Sequence, residues 1–471
     1  PIIYKKGQYI VTAGQPITEQ EYSMVQKLGL LKEDKINLLL VIGLGLILLI
    51  IEIAVILCLA YFDKTTINSP PQLLMTSLII WMVLGLALLT SQLDSYLIPA
   101  ALGGMLLTIL IGPKPASIIN IALAIIFGLM LDNHMGIILM TIIGGMVGIS
   151  VCSRAEQRNG LAWAGVLVSG INILSIMGYE MISSGGWLVP VKMSLWGIGS
   201  GLLSGIFLVG TLPIWENLFG IVTPIKLVEL ANPNHPILKR LLLEAPGTYH
   251  HSIIVANLAE NAAEAIGGDG LLARVGAYYH DIGKLKRPFY FRENQLGTGN
   301  PHDNLSPVLS TRIITSHTKD GVDLARKHKV PKVLQDFISQ HHGTTPVIYF
   351  YYKAKGNNKD DMIKLEDFRY VGPKPQNRET AIVMMADTVE AAVRAIPDPT
   401  PGKIEGLIRK LIKEKLDDNQ LDDCHLTLKD LSTIANAFSG VITGIFHERV
   451  EYPDVSIQDE SIREEAQLEE K

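Results

Sequence analysis

Cysteine is scarce in this 471-residue chain: Cys58, Cys152 and Cys424 stand far apart, two of them in apolar segments. Thiols so placed form neither a disulfide framework nor a cysteine-based zinc site. Positive charge is not in excess, since 41 Lys and Arg face 46 Asp and Glu for a net charge of −5. A surface for DNA or RNA would need a basic field, so neither nucleic acid is an expected partner. Charge of either sign is sparse across residues 36–221, too sparse for an ordinary soluble fold, whereas residues 222–471 have a normal globular composition. The chain opens on Pro1 with neither methionine nor signal sequence, so a fragment of a longer protein is expected.

What fills the first half is apolar sequence. Crossing a bilayer takes about 20 apolar residues in a helix. Seven stretches qualify: Ile36–Phe62, Leu73–Leu93, Tyr96–Gly112, Ser117–Leu131, Met135–Cys152, Leu161–Ile182 and Leu195–Phe219. The fourth is short, and only Asp132-Asn133-His134 divides it from the fifth. Gly103-Gly104, Gly144-Gly145 and Gly197, Gly199 and Gly201 offer places for close helix packing, although glycine is common in membrane helices anyway. Alternate loops carry Lys64, Lys114, Arg154 and Arg158, and Lys226, Lys239 and Arg240 follow the last span; the opposite loops offer Asp94, Asp132 and Glu180, with Lys192 as their one basic residue. Basic loops stay inside, so the C-terminal half is expected in the cytoplasm and residues 1–35 outside. Lys27, Lys32 and Lys35 oppose that orientation and are outweighed. Residues 1–35 read as a strand or turn and an amphipathic helix, too few to bury a core alone. Beyond Glu52 and Glu216 the spans hold little charge, which gives a transporter weak support.

From Val222 onward the periodicity is helical, with helices expected at His251–Ile266, Leu271–Ile282, Ser306–Lys329, Val333–His342, Glu379–Ile396, Lys403–Asp418 and Thr427–Arg449. The run VIYFYY at 347–352 fits a helix better than a strand. Residues 222–455 therefore read as one all-α domain, followed by a frayed acidic tail at 456–471.

Eight of the 12 histidines fall between residues 250 and 342. His251 starts one helix and His280-Asp281 ends the next, so both can reach one point; His317, the doublet His341-His342 and Asp387 come from further helices. Histidine and carboxylate are the usual ligands of a catalytic transition-metal pair. Asp281 is the natural bridge, since a carboxylate can hold two cations roughly 3.5–4 Å apart. His251, His280 and Asp387 would complete one metal, and His317, His341 and His342 the other. Such a pair would activate a water to attack phosphorus. Imidazole with a carboxylate bridge suits iron or manganese, with zinc left open. Lys284 would neutralise phosphate or hold the bridging aspartate. His250 and His328 read as non-ligands, and His302 is balanced between a loop residue and a substrate contact. Tyr349 and Tyr351 could stack on a base, though packing on the core is the commoner role for such tyrosines.

The stretches GTYHHSIIVANLAE, YYHDIGKLKRPFYFRENQ, NPHDNLSP, SHTKDGVDLA, DFISQHHGTT and MMADTVEAAVRA resemble the HD-domain phosphohydrolases. More closely, the whole chain resembles the bacterial 7TM-HD membrane group of cyclic-di-AMP phosphodiesterases. The resemblance implies the same seven ligands, His251, His280, Asp281, His317, His341, His342 and Asp387. It also implies hydrolysis of cyclic-di-AMP to pApA, and it makes residues 1–35 the end of an extracytoplasmic 7TMR-HDED domain that would sense an unknown signal ligand. Related enzymes that cleave cyclic-di-GMP carry a GYP triplet after the histidine doublet; GTTPVIYFYYKAK here lacks it. Two other readings stay open: a hydrolase of cyclic-di-GMP, a dNTP or ppGpp on the same fold, and a receptor whose HD domain only binds. A homodimer through the HD domain or the membrane helices is left open as well.

Overall fold

The computed structural model describes residues 9–12, 14–29, 38–295, 297, 299–357, 363–397 and 400–445. By contact the chain divides into two compact units, residues 1–149 with 168–202 and residues 150–167 with 203–471. Among the described residues there is no strand; Pro346 and Arg369 form one isolated bridge. Of the strand or turn expected ahead of the first helix, residues 9–12 and 14–18 show bends and a turn, while residues 1–8 and the tail at 456–471 lie outside the described residues.

The first unit begins with α1 (Glu19–Lys27), closed at its start by a capping box between Thr18 and Glu21 and burying no residue. The apolar helices follow: α2 (Leu38–Phe62), the single turn α3 (Lys64–Ile67), α4 (Pro70–Ser91), α5 (Leu102–Ile111), α6 (Pro113–Met130), α7 (Met135–Cys152), α8 (Arg158–Ser184) and α9 (Leu188–Phe219). At about 1.5 Å per residue, the 25 residues of α2 extend about 37 Å, more than the hydrocarbon core of a bilayer. Among the described residues six helices are long and apolar enough to cross a membrane: α2, α4 and α6 to α9.

The third expected span is different. It consists of a 3-10 turn at Ser95–Leu97 and the ten-residue α5, about 15 Å long. Pro99 falls at the break and has no N–H to continue a helix. Leu102 to Thr108 and Leu110 are all buried, so α5 is enclosed by protein; a broken helix at membrane depth is tolerated only in such a place. Apolar composition could not separate this enclosed segment from a full span. Glu180 and Lys192, expected in loops, lie inside α8 and α9, which run past their apolar cores. The glycine pair on α7 has a specific reason. A Cβ on Gly144 would come within 2.4 Å of Asn172 Oδ1, and one on Gly145 within 2.1 Å of Asn120 Oδ1. The asparagines are buried there because their amides find partners: Asn120 Nδ2 donates to the Thr141 carbonyl at 3.2 Å, and Asn172 Nδ2 to Ser200 Oγ at 3.2 Å.

Besides the end of α7, the start of α8 and the second half of α9, the second unit contains α10 (Pro224–Leu230), α11 (Pro236–Glu244), α12 (Pro246–Ala265), α13 (Gly270–Tyr279), α14 (Pro307–Lys327), α15 (Lys332–Gln340), α16 (Ile348–Asn357), α17 (Arg378–Val393), α18 (Pro401–Asp417) and α19 (Leu428–Ile445). α12 is the central helix, packed on α13, α17 and α19. Its small face of Ala256, Ala259, Ala262 and Ala263, all fully buried, permits that crowding. The seven helices expected after residue 250 are present within a few residues, except that the expected end of the last, at Arg449, lies outside the described residues; residues 348–352 are helical as read. α13 ends early, at Tyr279, because the chain tightens into a 3-10 turn at Ile282–Lys286.

Candidate metal centre

Five backbone segments bring seven side chains to one place. α12 supplies His251; His280 caps α13, and Asp281 opens the 3-10 turn after it. α14 supplies His317, the end of α15 supplies His341 and His342, and α17 supplies Asp387. Two glycines allow the approach. A Cβ on Gly283 would stand 1.9 Å from the His317 carbonyl, and one on Gly276 would stand 2.4 Å from the Phe337 ring. α14 can therefore lie directly on the Asp281 turn, and α15 on α13.

The two oxygens of Asp281 face different partners. Oδ2 lies 3.2 Å from His280 Nε2 and 3.7 Å from His251 Nε2. Oδ1 lies 3.3 Å from His317 Nε2 and 3.7 Å from His341 Nε2. Asp387 also spans the site, with Oδ1 3.0 Å from His251 Nε2 and Oδ2 3.7 Å from His342 Nδ1. Two groups with metal-ligand spacing result: His251, His280 and Asp281, and His317, His341 and His342.

Ring hydrogen bonds set the direction of the lone pairs. His251 Nδ1 donates to Glu390 Oε2 at 2.7 Å, His280 Nδ1 to the Ala277 carbonyl at 2.6 Å, and His317 Nδ1 to the Ile314 carbonyl at 2.7 Å. His341 Nδ1 donates to the carbonyls of Phe337 and Ile338 at 3.1 and 3.0 Å. With Nδ1 donating outward, each ring turns its Nε2 inward, the arrangement that metal-binding histidines adopt once Nε2 is free of its proton. His317 and His341 then set two lone pairs against each other at 3.2 Å. His251 Nε2, His280 Nε2 and both Asp281 oxygens are buried without a hydrogen bond of acceptable geometry. Buried acceptors in this state are costly unless a cation or proton sits among them. The donor set of five imidazoles and two carboxylates thus fits a pair of divalent transition metals.

Electrostatics divide the site. Burial opposes ionisation of Asp281, yet the adjacent His280 and Lys284 charges outweigh it and hold the carboxyl well below its usual range. Burial likewise opposes Asp387, and the His251 contact overcomes it. Burial works against the charged form of His251, but the flanking carboxylates Asp387 and Glu390 push it up to about 10. Burial instead drives His341 down to about 3 and lowers His317 and His342, leaving all three neutral. One half therefore attracts a cation and the other presents neutral imidazoles.

Lys284 Nζ lies 2.7 Å from Asp281 Oδ2 and 2.7 Å from Glu293 Oε1, so it holds the aspartate. Beside the site opens a cleft of about 370 Å³ walled by Lys284, Arg292, Glu293, Asp387, Glu390 and Arg394. Arg292 and Glu293 also border a second cleft of about 610 Å³, which includes Tyr290, Asn300, His302 and Tyr349. His302 is buried, with Nε2 donating to the Tyr290 carbonyl at 3.0 Å. Tyr351 is not in either wall; it packs on Phe368 with ring centroids 5.7 Å apart. His250 is exposed and His328 caps α14, both away from the cluster.

Sequence reasoning missed Glu390, Glu293 and Tyr370. Glu390 follows Asp387 by three residues, one helical turn on the same face, which was a usable signal. Glu293 lies in an irregular segment with no period to read. Tyr370 stacks on His342 with ring centroids 4.3 Å apart, a contact that no local pattern announces.

Residues 38–223 match the family model described as a 7TM receptor with intracellular HD hydrolase, and residues 248–392 match the HD domain. The chain is 40% identical over 476 residues to the cyclic-di-AMP phosphodiesterase PgpH of Bacillus subtilis, covering 96% of this chain and 65% of that protein. It is 38% identical over 470 residues to PgpH of Listeria monocytogenes, covering 96% and 64%. It thus spans a little under two thirds of the length of these relatives. Among solved structures, the HD domain of L. monocytogenes PgpH in complex with cyclic-di-AMP is 50% identical, with a TM-score of 0.44 over 46% of this chain and 100% of that one.

Proposed function

We propose that this chain, which matches the family model of a 7TM receptor with intracellular HD hydrolase over residues 38–223 and the HD domain over residues 248–392, is a metal-dependent phosphodiesterase that opens cyclic-di-AMP to linear pApA. The observation that carries this reading is Asp281, whose two oxygens each face a separate group of inward-pointing histidine nitrogens. His251, His280 and Asp387 would hold one cation, His317, His341 and His342 would hold the other, and Asp281 would serve both. Iron or manganese suits this donor set, with zinc as the alternative. When bound, the pair supplies an activated water and neutralises charge on the phosphate.

The protein's own groups do the rest. Glu390 fixes the His251 tautomer, and Lys284 keeps Asp281 ionised and aimed at both cations. Arg292 and Arg394, in the wall beside Asp387, receive the phosphates. Tyr349 and His302 border the adjoining cleft, which is large enough for a nucleoside. The basic residues Lys64, Lys114, Arg154, Arg158 and Lys226 support an orientation in a bacterial cell membrane with the HD unit in the cytoplasm, where a nucleotide second messenger occurs. An extracytoplasmic signal ligand acting beyond residues 1–35, and a homodimer, complete the proposed set of partners.

The test is a nucleotide panel. Full chain in detergent, loaded with manganese or iron, is assayed on cyclic-di-AMP, cyclic-di-GMP, a dNTP and ppGpp. Fastest turnover of cyclic-di-AMP to pApA is expected. Faster turnover of another nucleotide reassigns the substrate, and binding of nucleotide without turnover by metal-loaded protein makes the chain a receptor.

A further inference from the structure

His342 differs from the other histidines of the cluster. His251, His280, His317 and His341 are each locked by a ring hydrogen bond to a carboxylate or a carbonyl. The His342 ring has no such hydrogen bond among the described residues, and its side chain is 21% exposed, against 7% or less for the other four. Something else has to aim it. One face is covered by the Tyr370 ring at 4.3 Å, inclined by 30°. The backbone that follows His342 is clamped from outside the segment.

That clamp comes from the turn after α18. Gln420 is 1% exposed, and its side-chain amide is fully engaged. Its Oε1 accepts the Thr344 N–H at 2.9 Å, and its Nε2 donates to Thr344 Oγ1 at 2.9 Å and to Asp418 Oδ2 at 3.0 Å. From the other side Arg369 donates to the Thr344 carbonyl at 2.7 Å and grips Asp418 through two nitrogens at 3.2 and 3.0 Å. The Tyr370 N–H, next in chain, bonds the Thr345 carbonyl at 3.0 Å, which seats the ring on His342. Gly343, between the ligand and the clamp, has a φ of +51°, and a Cβ there would meet Gln420 Oε1 at 2.4 Å. Both groups of the Thr344 peptide are therefore fixed by side chains, two residues from His342. Gln420 and Asp418 lie beyond residue 392, where the match to the HD domain ends.

We infer that Gln420, with the Arg369–Asp418 pair, is a positioning residue for His342, so that the turn after α18 sets the affinity of the His317–His341–His342 cation site. This rests on the two-cation reading of the centre. Loss of a partner that orients a metal ligand weakens metal affinity about 10–100-fold. Removal of Gln420 is expected to do so at one cation site and not at the other.

The experiment is a manganese titration of full-chain protein in detergent, stripped of metal, with free Mn(II) followed by electron paramagnetic resonance. Gln420→Ala should weaken one of two sites at least tenfold and leave the other within twofold. Gln420→Met, which keeps the length and removes the amide, carries the same test if Gln420→Ala does not fold. The deciding comparison is a double-mutant cycle with His342→Ala. If Gln420 acts through His342, its substitution has no further effect on manganese binding once His342 is gone. Equal weakening of both sites, an unchanged titration, or additive effects in the cycle would overturn the inference and leave the centre standing. Two intact sites in His342→Ala itself would instead overturn the metal-centre reading.

Discussion

Replacing Glu390 by glutamine keeps the shape of a single side chain and changes one charge. Glu390 Oε2 accepts the His251 Nδ1 proton at 2.7 Å, while Oε1 pairs with Arg394. An amide has one acceptor oxygen and cannot serve both. If that oxygen stays on His251, the NH2 group faces the Arg394 guanidinium. If it turns to Arg394, the NH2 group faces Nδ1, and the ring proton must move to Nε2, where it takes the lone pair from the site. Either outcome loses one buried charge-assisted hydrogen bond, worth about 1.5–3 kcal/mol. At 1.4 kcal/mol per factor of ten, that predicts roughly 10–100-fold weaker binding at the His251 cation, in line with the usual effect of such partners. The high pKa of His251 should fall as well, since Glu390 is one of the two carboxylates that raise it. Manganese titration of Glu390→Gln against wild type, with histidine resonances followed by NMR, reads both quantities. Wild-type manganese affinity in Glu390→Gln, alongside a clear loss in His251→Ala, would refute this account of how the ring is held.

Other consequences follow from the same geometry. Metal-free protein keeps His251 protonated up to about pH 10, against a reference of 6.5, so this group stabilises the metal-free fold fully below about pH 6.5 and loses that contribution as pH rises toward 10. Manganese competes with that proton, so affinity at the His251 side should rise about tenfold per pH unit up to about 10, with release of about one proton near neutrality; calorimetry in buffers of different ionisation enthalpy measures it, and pH-independent affinity would contradict it. Gly283→Ala should cost about 3 kcal/mol or more, because its Cβ would meet the His317 backbone rather than a side chain that can move. Thermal unfolding and metal content should both drop, and a wild-type melting curve would count against the close approach of α14. His250→Ala and His328→Ala should leave turnover within twofold of wild type; a tenfold loss in either would show that the cluster extends further than described.

The cluster was legible because its ligands sit in short peptides, His280-Asp281 and His341-His342 among them, whose order and spacing carry information. A helical reading then brought them together: both doublets fall at helix ends, while His317 and Asp387 lie within α14 and α17. Glu390 was one acidic residue among 46 until α17 put it on the face of Asp387. Gln420 lies 76 residues from Thr344, and no spacing rule connects them. The break in the third apolar segment stayed hidden for a related reason. Hydropathy reports that Tyr96–Gly112 is apolar, but whether lipid or protein surrounds it depends on the other helices. Glycine was ambiguous in the same way: Gly144 and Gly145 looked like ordinary membrane glycines until Asn172 and Asn120 were found against them.

The central claim is that Asp281 joins two cations into a centre that cleaves cyclic-di-AMP. The most direct measurement compares wild type and Asp281→Ala as full chains in detergent, both incubated with manganese and cyclic-di-AMP, with pApA quantified and helical content monitored by circular dichroism. The account predicts pApA from wild type, none above background from Asp281→Ala, and the same helical signal in both. Hydrolysis by Asp281→Ala at a rate near wild type would contradict it.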